Sequence, residues 1–160
     1  MTVKTIELGR KRGGRKGIAI VDDQDFDRVN AINWYPLRST NSYTDYAYNV
    51  IVGLMHRFIL DVPSEVSVDH INRNGLDNRR ENLRPASVAQ NQQNRKKAQG
   101  TSSKYKGVSW NKERQLWHAY IHVSGRMKYL GRFQNEVEAA LVYDDAARLY
   151  FGEFARCNFQ

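Results

Sequence analysis

Asp69 and His70 are adjacent residues of the types that hydrolysis of a phosphodiester requires. The phosphate charge repels nucleophiles and the alkoxide leaves poorly, so a catalyst must supply a base for water and a cation for the developing charge. The imidazole of His70, with an ordinary pKa of about 6.5, is partly neutral near neutral pH and can accept a proton. Asp69 and Asn91 offer the hard oxygen donors that Mg²⁺ and Mn²⁺ prefer.

One ordered pattern contains these residues. Residues 68–84 read VDHINRNGLDNRRENLR, and Gln90-Asn91 follow. The pattern resembles the HNH endonuclease family, specifically the group found in phages and introns, over roughly residues 17–97. The alternative interpretation is that the Asp-His pair forms a turn and that the asparagines are turn residues, as asparagine commonly is. The ordered set favours the nuclease.

The resemblance assigns a role to each residue of the pattern. Asp69 and Asn91 are implied to hold one divalent metal ion, Mg²⁺ or Mn²⁺, which bridges the scissile phosphate and the leaving 3′ oxygen. His70 is implied to be the catalytic base, and Asn82 to be the supporting catalytic residue that fixes the loop aiming His70. Asn94 is the rival of Asn91 as a ligand, because the phase of the helix is open at this stage.

The elements around the pattern must bring it together. Neighbouring side chains of a strand point to opposite faces, so Asp69 and His70 converge only where the strand ends or twists, and the resemblance implies such an end. Asn91 is predicted to lie one turn into a helix capped by Ser87. Arg95 follows a turn later on the same face, where it would contact phosphate.

A small β-rich element is predicted before the pattern. Residues 18–21 and the aromatic residues around Trp34 to Tyr48 have strand character, and Val50–Leu60 is apolar at helical spacing. His56 within that helix is interpreted as a packed or supporting histidine. The basic, glycine-rich residues 1–17 are either a flexible arm for phosphates or a solubilising end.

The C-terminal third has its own folding pattern. Trp117, Ala119, Ile121 and Val123 alternate with three polar residues and mark one strand face for a core. A helix is predicted from an Asn135 cap, with Glu138 three residues on, to the vicinity of Gly152. This region resembles the AP2 DNA-binding domain, through Tyr105-Lys106-Gly107-Val108, Trp117-His118-Ala119-Tyr120-Ile121, Tyr129-Leu130-Gly131-Arg132-Phe133 and Glu138-Ala139-Ala140.

That resemblance implies a three-stranded antiparallel sheet backed by one helix, with the sheet in the major groove of DNA. Cationic side chains would neutralise phosphates, and arginine can read guanine. The alternative to a DNA-binding face is a solvated sheet face with aromatic packing. Ser109 and Trp110 depart from the plant AP2 pattern, so base preferences do not transfer. The predicted DNA contacts are Arg95, Lys106, Ser109, Trp110, Lys112, Arg114, His118, Tyr120, His122, Arg126 and Lys128.

Charge and composition support a division of the chain into an HNH-like region and an AP2-like region. The formal net charge is +8, and residues 91–132 hold ten Lys or Arg against the single acidic Glu113, which indicates a polyanionic partner. Large apolar side chains are almost missing between Gln92 and Lys106, as in a linker. The predicted organisation is an N-terminal β element and HNH domain in 1–97, a linker in 98–104 and an AP2-like domain in 105–160.

The overall fold class is therefore α+β: a small ββα-metal nuclease core with an N-terminal β-rich element, followed by a sheet on one helix. No stretch approaches 18 apolar residues, and Cys157 is the only cysteine, which excludes an intrachain disulfide. We expect a soluble protein in the cytoplasm of a bacterial host or phage-infected cell, with no membrane partner. A monomer is expected, with a dimer as the alternative.

The predicted function is a metal-dependent endonuclease that nicks or cleaves double-stranded DNA and is targeted by the AP2-like module. The main alternative is a non-catalytic, sequence-specific DNA-binding protein on a vestigial HNH scaffold. An RNA-binding protein is disfavoured because the predicted face lacks the aromatic pairs that stack unpaired bases.

Overall fold

The structure is a computed structural model that describes residues 2–9, 16–38, 44–97 and 100–159. Its short helices and small antiparallel sheets confirm the coarse α+β prediction. The chain divides into two units, Met1–Asn91 and Gln92–Gln160. Among the described residues, no helix has both the length and the apolar character needed to cross a bilayer.

The first unit contains three small sheets. Strands β1 and β2 form an antiparallel pair, β3, β4 and β5 form a meander, and β6 pairs with β7 on either side of a long loop. Helix α3 follows β7 directly. The elements are β1 Val3–Leu8, β2 Gly17–Asp22, α1 Asp23–Asn30, β3 Tyr35–Leu37, β4 Tyr46–Asn49, β5 Gly53–Leu54, α2 Met55–Leu60, β6 Ser67–His70, β7 Leu83–Ala86 and α3 Val88–Gln93.

Alternating side chains of β1 and β2 supply four of the ten buried residues of the first core. Ile6 and Leu8 are buried on one strand, and Ala19 and Val21 on the other, as expected for a sheet with one covered face. Trp34 completes the core and donates its indole N–H to the carbonyl of Val29 at 2.8 Å. The remaining buried members are Val29, Ala47, Met55, Ile59 and Leu83.

One prediction for this unit was wrong in its bounds. The helix predicted over Val50–Leu60 begins only at Met55, because the side chain of Asn49 accepts bonds from the N–H groups of Ile51 and Val52 and fixes a turn. The acidic run after β2 forms α1, where Asp23 and Asp25 stand in the first turn and favour the positive end of the helix dipole. Within the predicted arm, Val3–Leu8 forms β1. Residues 1 and 10–15 lie outside the described residues.

The second unit is a three-stranded antiparallel sheet on one helix. Strands β8 Val108–Asn111, β9 Leu116–Val123 and β10 Arg126–Phe133 are ordered β10-β9-β8. Helix α4, Glu136–Phe151, buries Ala139, Ala140 and Ala147 completely, and these small side chains let it lie close to the sheet. The predicted cap is confirmed, because the Asn135 side chain accepts a 2.7 Å bond from the N–H of Val137.

The boundary between the units lies earlier than the sequence predicted. The division falls after Asn91, not after residue 97. The ammonium group of Lys106 donates to the carbonyls of Gln93 and Arg95, which ties this segment to the second unit. Within the predicted linker, Ser103 is buried and its hydroxyl accepts from the N–H of Tyr105. The assignment of residues 98–104 as a linker stays a prediction. Residues 98–99 lie outside the described residues.

Candidate nuclease site

The imidazole of His70 is at the last residue of β6 and is buried, at 5% exposure. The ring of His56 meets it edge-on with the centroids 4.9 Å apart, and the Tyr46 ring lies 5.7 Å away. Its Nε2 is 3.3 Å from Oδ1 of Asn78. Burial lowers the pKa of His70. The hydrogen bond to Asn78 and the charges of Asp69 and Asp77 raise this pKa, but burial outweighs them. The ring is therefore neutral at neutral pH and able to accept a proton.

His56 is a packed histidine, as the sequence predicted. It is 5% exposed on α2, and burial, followed by the charges of His70 and Arg57, lowers its pKa to about 3. Its Nδ1 is buried without a hydrogen-bond partner in the described structure. His56 is therefore a neutral side chain that packs against the ring of His70.

Asp69 precedes His70 on β6 and is held by an arginine. The strand register places Arg84 of β7 directly opposite, and its Nε and Nη2 donate to Oδ2 of Asp69 at 3.0 and 2.7 Å. The two side chains are only 9% and 11% exposed. A buried carboxylate requires such a partner to offset the loss of hydration. The pair fixes the position of the carboxylate.

The loop between β6 and β7 is held by Asn82. Its Oδ1 accepts from the N–H of Asn72 at 2.9 Å, and its Nδ2 donates to the carbonyl of Asp77 at 2.7 Å. The N–H of Ile71, the residue after His70, donates to the Asn82 carbonyl. Asn82 thus bridges three points of the loop that begins at the imidazole and does not itself contact that ring in these bonds.

A charged network anchors the far end of the loop to α1. Nε of Arg80 donates to Asp25 at 2.7 Å, and its backbone N–H donates to Asp22 at 2.8 Å. Arg28 donates to the same Asp25 carboxylate. Burial alone raises the pKa of Asp25, but the bonds from Arg80 and Arg28 outweigh it, and the net shift is downward. The loop is therefore attached to the core by charge-assisted bonds.

Asn91 lies half-buried on α3, four residues after Ser87, the residue that follows the end of β7 at Ala86. The predicted cap is confirmed, since Ser87 Oγ accepts from the N–H of Gln90 and the Gln90 side chain bonds back to Ser87. The convergence of Asn91 on Asp69 stays a prediction. The rival Asn94 is buried beyond the helix end.

Arg95 does not continue the face of Asn91 on this helix. Helix α3 ends at Gln93, so the prediction of a further helical turn was wrong. The exposed Arg95 side chain instead donates to the side chain of Gln92 at 2.9 Å. Its role as a phosphate contact stays a prediction.

Comparison with known proteins identifies the family. A family model described as HNH endonuclease matches residues 61–93, which span β6, the loop, β7 and α3. An uncharacterized HNH endonuclease, L560 of Acanthamoeba polyphaga mimivirus, is 33% identical over 159 residues, covering 94% of this chain and 78% of that protein. The chain belongs to the HNH endonuclease family. Protein 3.8 of Escherichia phage T7 is also similar, 34% identical over 96 residues that cover 59% of this chain and 78% of that protein.

Membership in the HNH family implies a nuclease that acts on DNA. HNH nucleases generally depend on a divalent metal ion. Among the described residues, no group of three or more His, Cys, Asp and Glu is placed to hold an ion. The buried Asp69 carboxylate and an amide oxygen nevertheless suit Mg²⁺ or Mn²⁺, because Mg²⁺ takes one or two protein oxygens and keeps several waters.

In the second unit of this HNH family member, the strand register shows on which face of the sheet each predicted DNA contact lies. His118 of β9 lies opposite Ser109 of β8 and Arg132 of β10. Directly opposed residues share a face of the sheet, and this face is the one turned away from the buried residues Ala119 and Ile121. Tyr120 and His122 lie on it by alternation. Five residues thus occupy one continuous free face.

Three other predicted contacts lie on the helix side of the sheet. Trp110 pairs with Trp117, their centroids 4.9 Å apart. Arg126 and Lys128 lie opposite Val123 and Ile121, and the Lys128 ammonium stands 5.3 Å from the Tyr150 ring on α4. Alternation along the strands therefore places these three residues on the face opposite to His118, and their predicted contact with DNA stays a prediction.

The ammonium group of Lys106 donates to the backbone carbonyls of Gln93 and Arg95. These bonds do not support the predicted phosphate contact at Lys106, which stays a prediction. Lys112 and Arg114 lie exposed in the turn between β8 and β9. A groove of about 720 Å³ runs along this edge of the free face. It is lined by Asn111, Glu113, Arg114, His118, Tyr129, Gly131 and Arg132.

Sequence reasoning missed three residues of these sites. Arg84 pairs with Asp69, and Arg132 lines the groove. Both arginines lie within the motifs that carry the two family resemblances, but the sequence analysis assigned neither of them a role. Arg84 was open to prediction, because a buried carboxylate needs a cation and the two strands flank one loop. Asn78, which contacts His70, carried no signal beyond being one asparagine among several.

Proposed function

We propose that this protein is a metal-dependent endonuclease that nicks or cleaves duplex DNA by phosphodiester hydrolysis, with His70 as the base. The observation that carries the proposal is a buried, neutral imidazole at the end of β6, next to the Asp69 carboxylate. A neutral histidine is competent to take a proton, and a neighbouring carboxylate suits a cation.

In the proposed reaction, His70 removes a proton from a water molecule whose oxygen attacks the phosphorus. The bond between phosphorus and the 3′ oxygen breaks, and the leaving oxygen takes a proton from solvent. Arg84 keeps the Asp69 carboxylate in place, and Asn82 keeps the loop that begins at His70 in one conformation. When bound, the ion held by Asp69 and Asn91 supplies positive charge for the developing alkoxide.

The second unit is proposed to bind the duplex and bring the nuclease to it, as an AP2-like module. Its free face carries Ser109, His118 and Arg132 in one row, with Arg114 at the edge of the groove. Cations at such an edge contact phosphates, and polar groups in the row contact base edges. The concentration of positive charge in residues 91–132 has the sign that this role needs.

Plasmid nicking tests the catalytic half. Purified protein is incubated with supercoiled plasmid and Mg²⁺ or Mn²⁺, with a chelator control and with the variant His70→Ala. We expect metal-dependent nicking that the variant lowers by about 10²- to 10⁴-fold, the usual contribution of a general base. DNA affinity should persist. Equal nicking by His70→Ala at matched purity would refute the assignment, and binding without any nicking would favour the non-catalytic DNA-binding alternative.

Salt-dependent binding tests the targeting half. In Arg114→Ala and Arg132→Ala, we expect weaker binding to a labelled duplex and a log–log salt slope shallower by about 0.9 for each lost phosphate contact. The matched control is Arg148→Ala, because Arg148 is an exposed arginine on α4 that pairs with Asp145. Slopes identical in all three variants would exclude this face as the contact surface.

A further inference from the structure

The groove at the edge of the sheet in the second unit combines an aromatic pair with charges of both signs. Its volume of about 720 Å³ lies within the range of about 300 to 1,000 Å³ that is usual for sites of small organic groups. Tyr129 and His118 supply the rings, with their centroids 5.5 Å apart and their planes at 77°. Glu113, Arg114 and Arg132 supply the charges, and none of the three forms an ion pair with a residue that the structure describes.

The register of β9 and β10 creates the aromatic pair. Tyr129 lies opposite Tyr120, and a shift of register before Gly131 brings Arg132 opposite His118. Tyr129 therefore shares the free face with His118, and it is 57% exposed. Because the two rings meet edge to face, the pair leaves ring surface open to a further ring. An exposed aromatic ring on a sheet is the kind of group on which an unpaired base stacks.

Two polar groups of the groove call for a partner that a nucleotide would supply. Nε2 of His118 is buried without a hydrogen bond in the described structure, which costs free energy until a ligand provides a bond. The Glu113 carboxylate lies in the turn between β8 and β9, which Asn111 fixes by accepting from the N–H of Arg114 at 2.8 Å. A carboxylate repels phosphate, but it accepts hydrogen from the amino group of a base, as from N4 of cytosine.

We infer that this groove binds an unpaired nucleotide of DNA, with Tyr129 stacking on the base, Glu113 accepting from its amino group and the two arginines contacting phosphate. The inference rests on the proposed DNA binding of the second unit and adds a single-stranded element to its substrate. Stacking tolerates every base, whereas the carboxylate does not. Cytosine offers it an amino group, but the N3–H of thymine is flanked by two carbonyl oxygens that repel a carboxylate. A dC oligomer should therefore bind more tightly than a dT oligomer.

Binding of short labelled oligomers to the full-length protein tests the stacking. Fluorescence anisotropy is measured with a chelator present, which prevents metal-dependent cleavage. Tyr129→Leu keeps an apolar side chain and removes the ring, so we expect its affinity for the dC oligomer to fall by about 5- to 100-fold. The matched control is Tyr150→Leu, because Tyr150 is 42% exposed on α4 and stands by Lys128 on the helix side of the sheet. Affinity equal to that of the wild-type protein in Tyr129→Leu would overturn the inference.

Glu113→Gln separates a base pocket from a groove that contacts only phosphates. Loss of a negative charge strengthens contact with any polyanion, so a phosphate groove would bind the dC and dT oligomers more tightly by the same factor. In a base pocket, we expect the ratio of dC affinity to dT affinity to fall by about 5- to 10-fold, because an amide oxygen accepts more weakly than a carboxylate. The control is Glu138→Gln, an exposed acid in the first turn of α4, which should leave the ratio unchanged. An equal gain for both oligomers in Glu113→Gln would refute the inference.

A duplex of the same length keeps this test apart from that of the proposed function. Paired bases are already stacked within the helix, so Tyr129→Leu should weaken duplex binding far less than dC binding, and equal losses would overturn the inference. Duplex binding by a wild-type protein that binds neither oligomer would also overturn it and leave the proposed targeting intact. Binding of the dC oligomer without duplex binding would reject the proposed targeting and leave the groove assignment standing. Tighter binding of an rC oligomer than of the dC oligomer would assign the groove to RNA and overturn the inference.

Discussion

In the unit Met1–Asn91 the polar side chains near His70 are buried and hydrogen-bonded, whereas the contacts proposed for the unit Gln92–Gln160 include exposed side chains of a sheet and of its turn. Asp69, Asn78 and Asn82 are each at most 7% exposed. On the sheet, His122, Arg132 and Arg114 are exposed. Chemistry on a single bond needs groups fixed within fractions of an ångström, and contact with a polyanion needs accessible charge.

The comparison also concerns what holds each unit together. The first unit attaches its loop to the core by charged bonds, whereas the second packs small alanines of α4 on its sheet and ties down its C-terminal segment through the buried Asp144. That carboxylate accepts from the backbone N–H groups of Asn158 and Phe159. Substitutions of matched type in the two units should therefore differ in predictable ways.

The largest difference is expected between two aspartates that each pair with arginine. Asp25→Ala removes a carboxylate that is 3% exposed and binds Arg28 and Arg80, and we expect a loss of about 3 kcal/mol in the free energy of unfolding of its unit. Asp145→Ala removes a carboxylate that is 81% exposed, and we expect less than about 1 kcal/mol. Urea denaturation measures both, and equal losses would break the comparison.

Two glycines sharpen the comparison within the second unit. Both have positive φ, 74° at Gly107 and 77° at Gly125. A Cβ at Gly107 would lie 1.9 Å from the Tyr143 ring, whereas one at Gly125 would meet nothing within 4 Å. We expect Gly107→Ala to cost about 2 to 3 kcal/mol and Gly125→Ala about 1 kcal/mol. Thermal denaturation measures both losses of stability. A Gly107→Ala protein as stable as the wild-type protein would contradict the close packing of Gly107 against Tyr143.

The third expected effect is a pH dependence of stability in the first unit. Burial lowers the pKa of His56 to about 3, so below pH 6.5 the unfolded chain binds a proton that the folded chain does not. The contribution is fully present above pH 6.5 and declines as the pH falls toward 3, at up to about 1.4 kcal/mol per pH unit. His70 acts in the same direction.

The variant His56→Phe provides the control, because it keeps a ring against His70 and removes one titrating group. Urea denaturation at several pH values between 4.5 and 7.5 should give a shallower decline for the variant than for the wild-type protein. Identical slopes would mean that His56 is protonated in the folded state. The buried histidine pair would then not be the neutral cluster described here.

Local patterns of side chains were enough to predict several elements. The alternation of Ala119 and Ile121 with polar neighbours indicated a half-covered strand, and Asn135 and Ser87 indicated two helix starts. These features depend on residues within a few positions, so the sequence carries them directly. The order Asp-His, Asn, Asn likewise indicated the HNH family, which the relatives then established.

Long-range contacts decided the rest. The apolar stretch from Val50 indicated a helix from its first residue, but the side chain of Asn49 fixes a turn there. The sequence did not show that Trp110 lies opposite Trp117, because that pairing depends on the register of two strands. Asn78 became the neighbour of His70 because β2 pairs with the loop 58 residues later along the chain, at Ile20 and Asn78. A sequence specifies propensities near each residue, but only the packed chain determines which distant groups share a buried site.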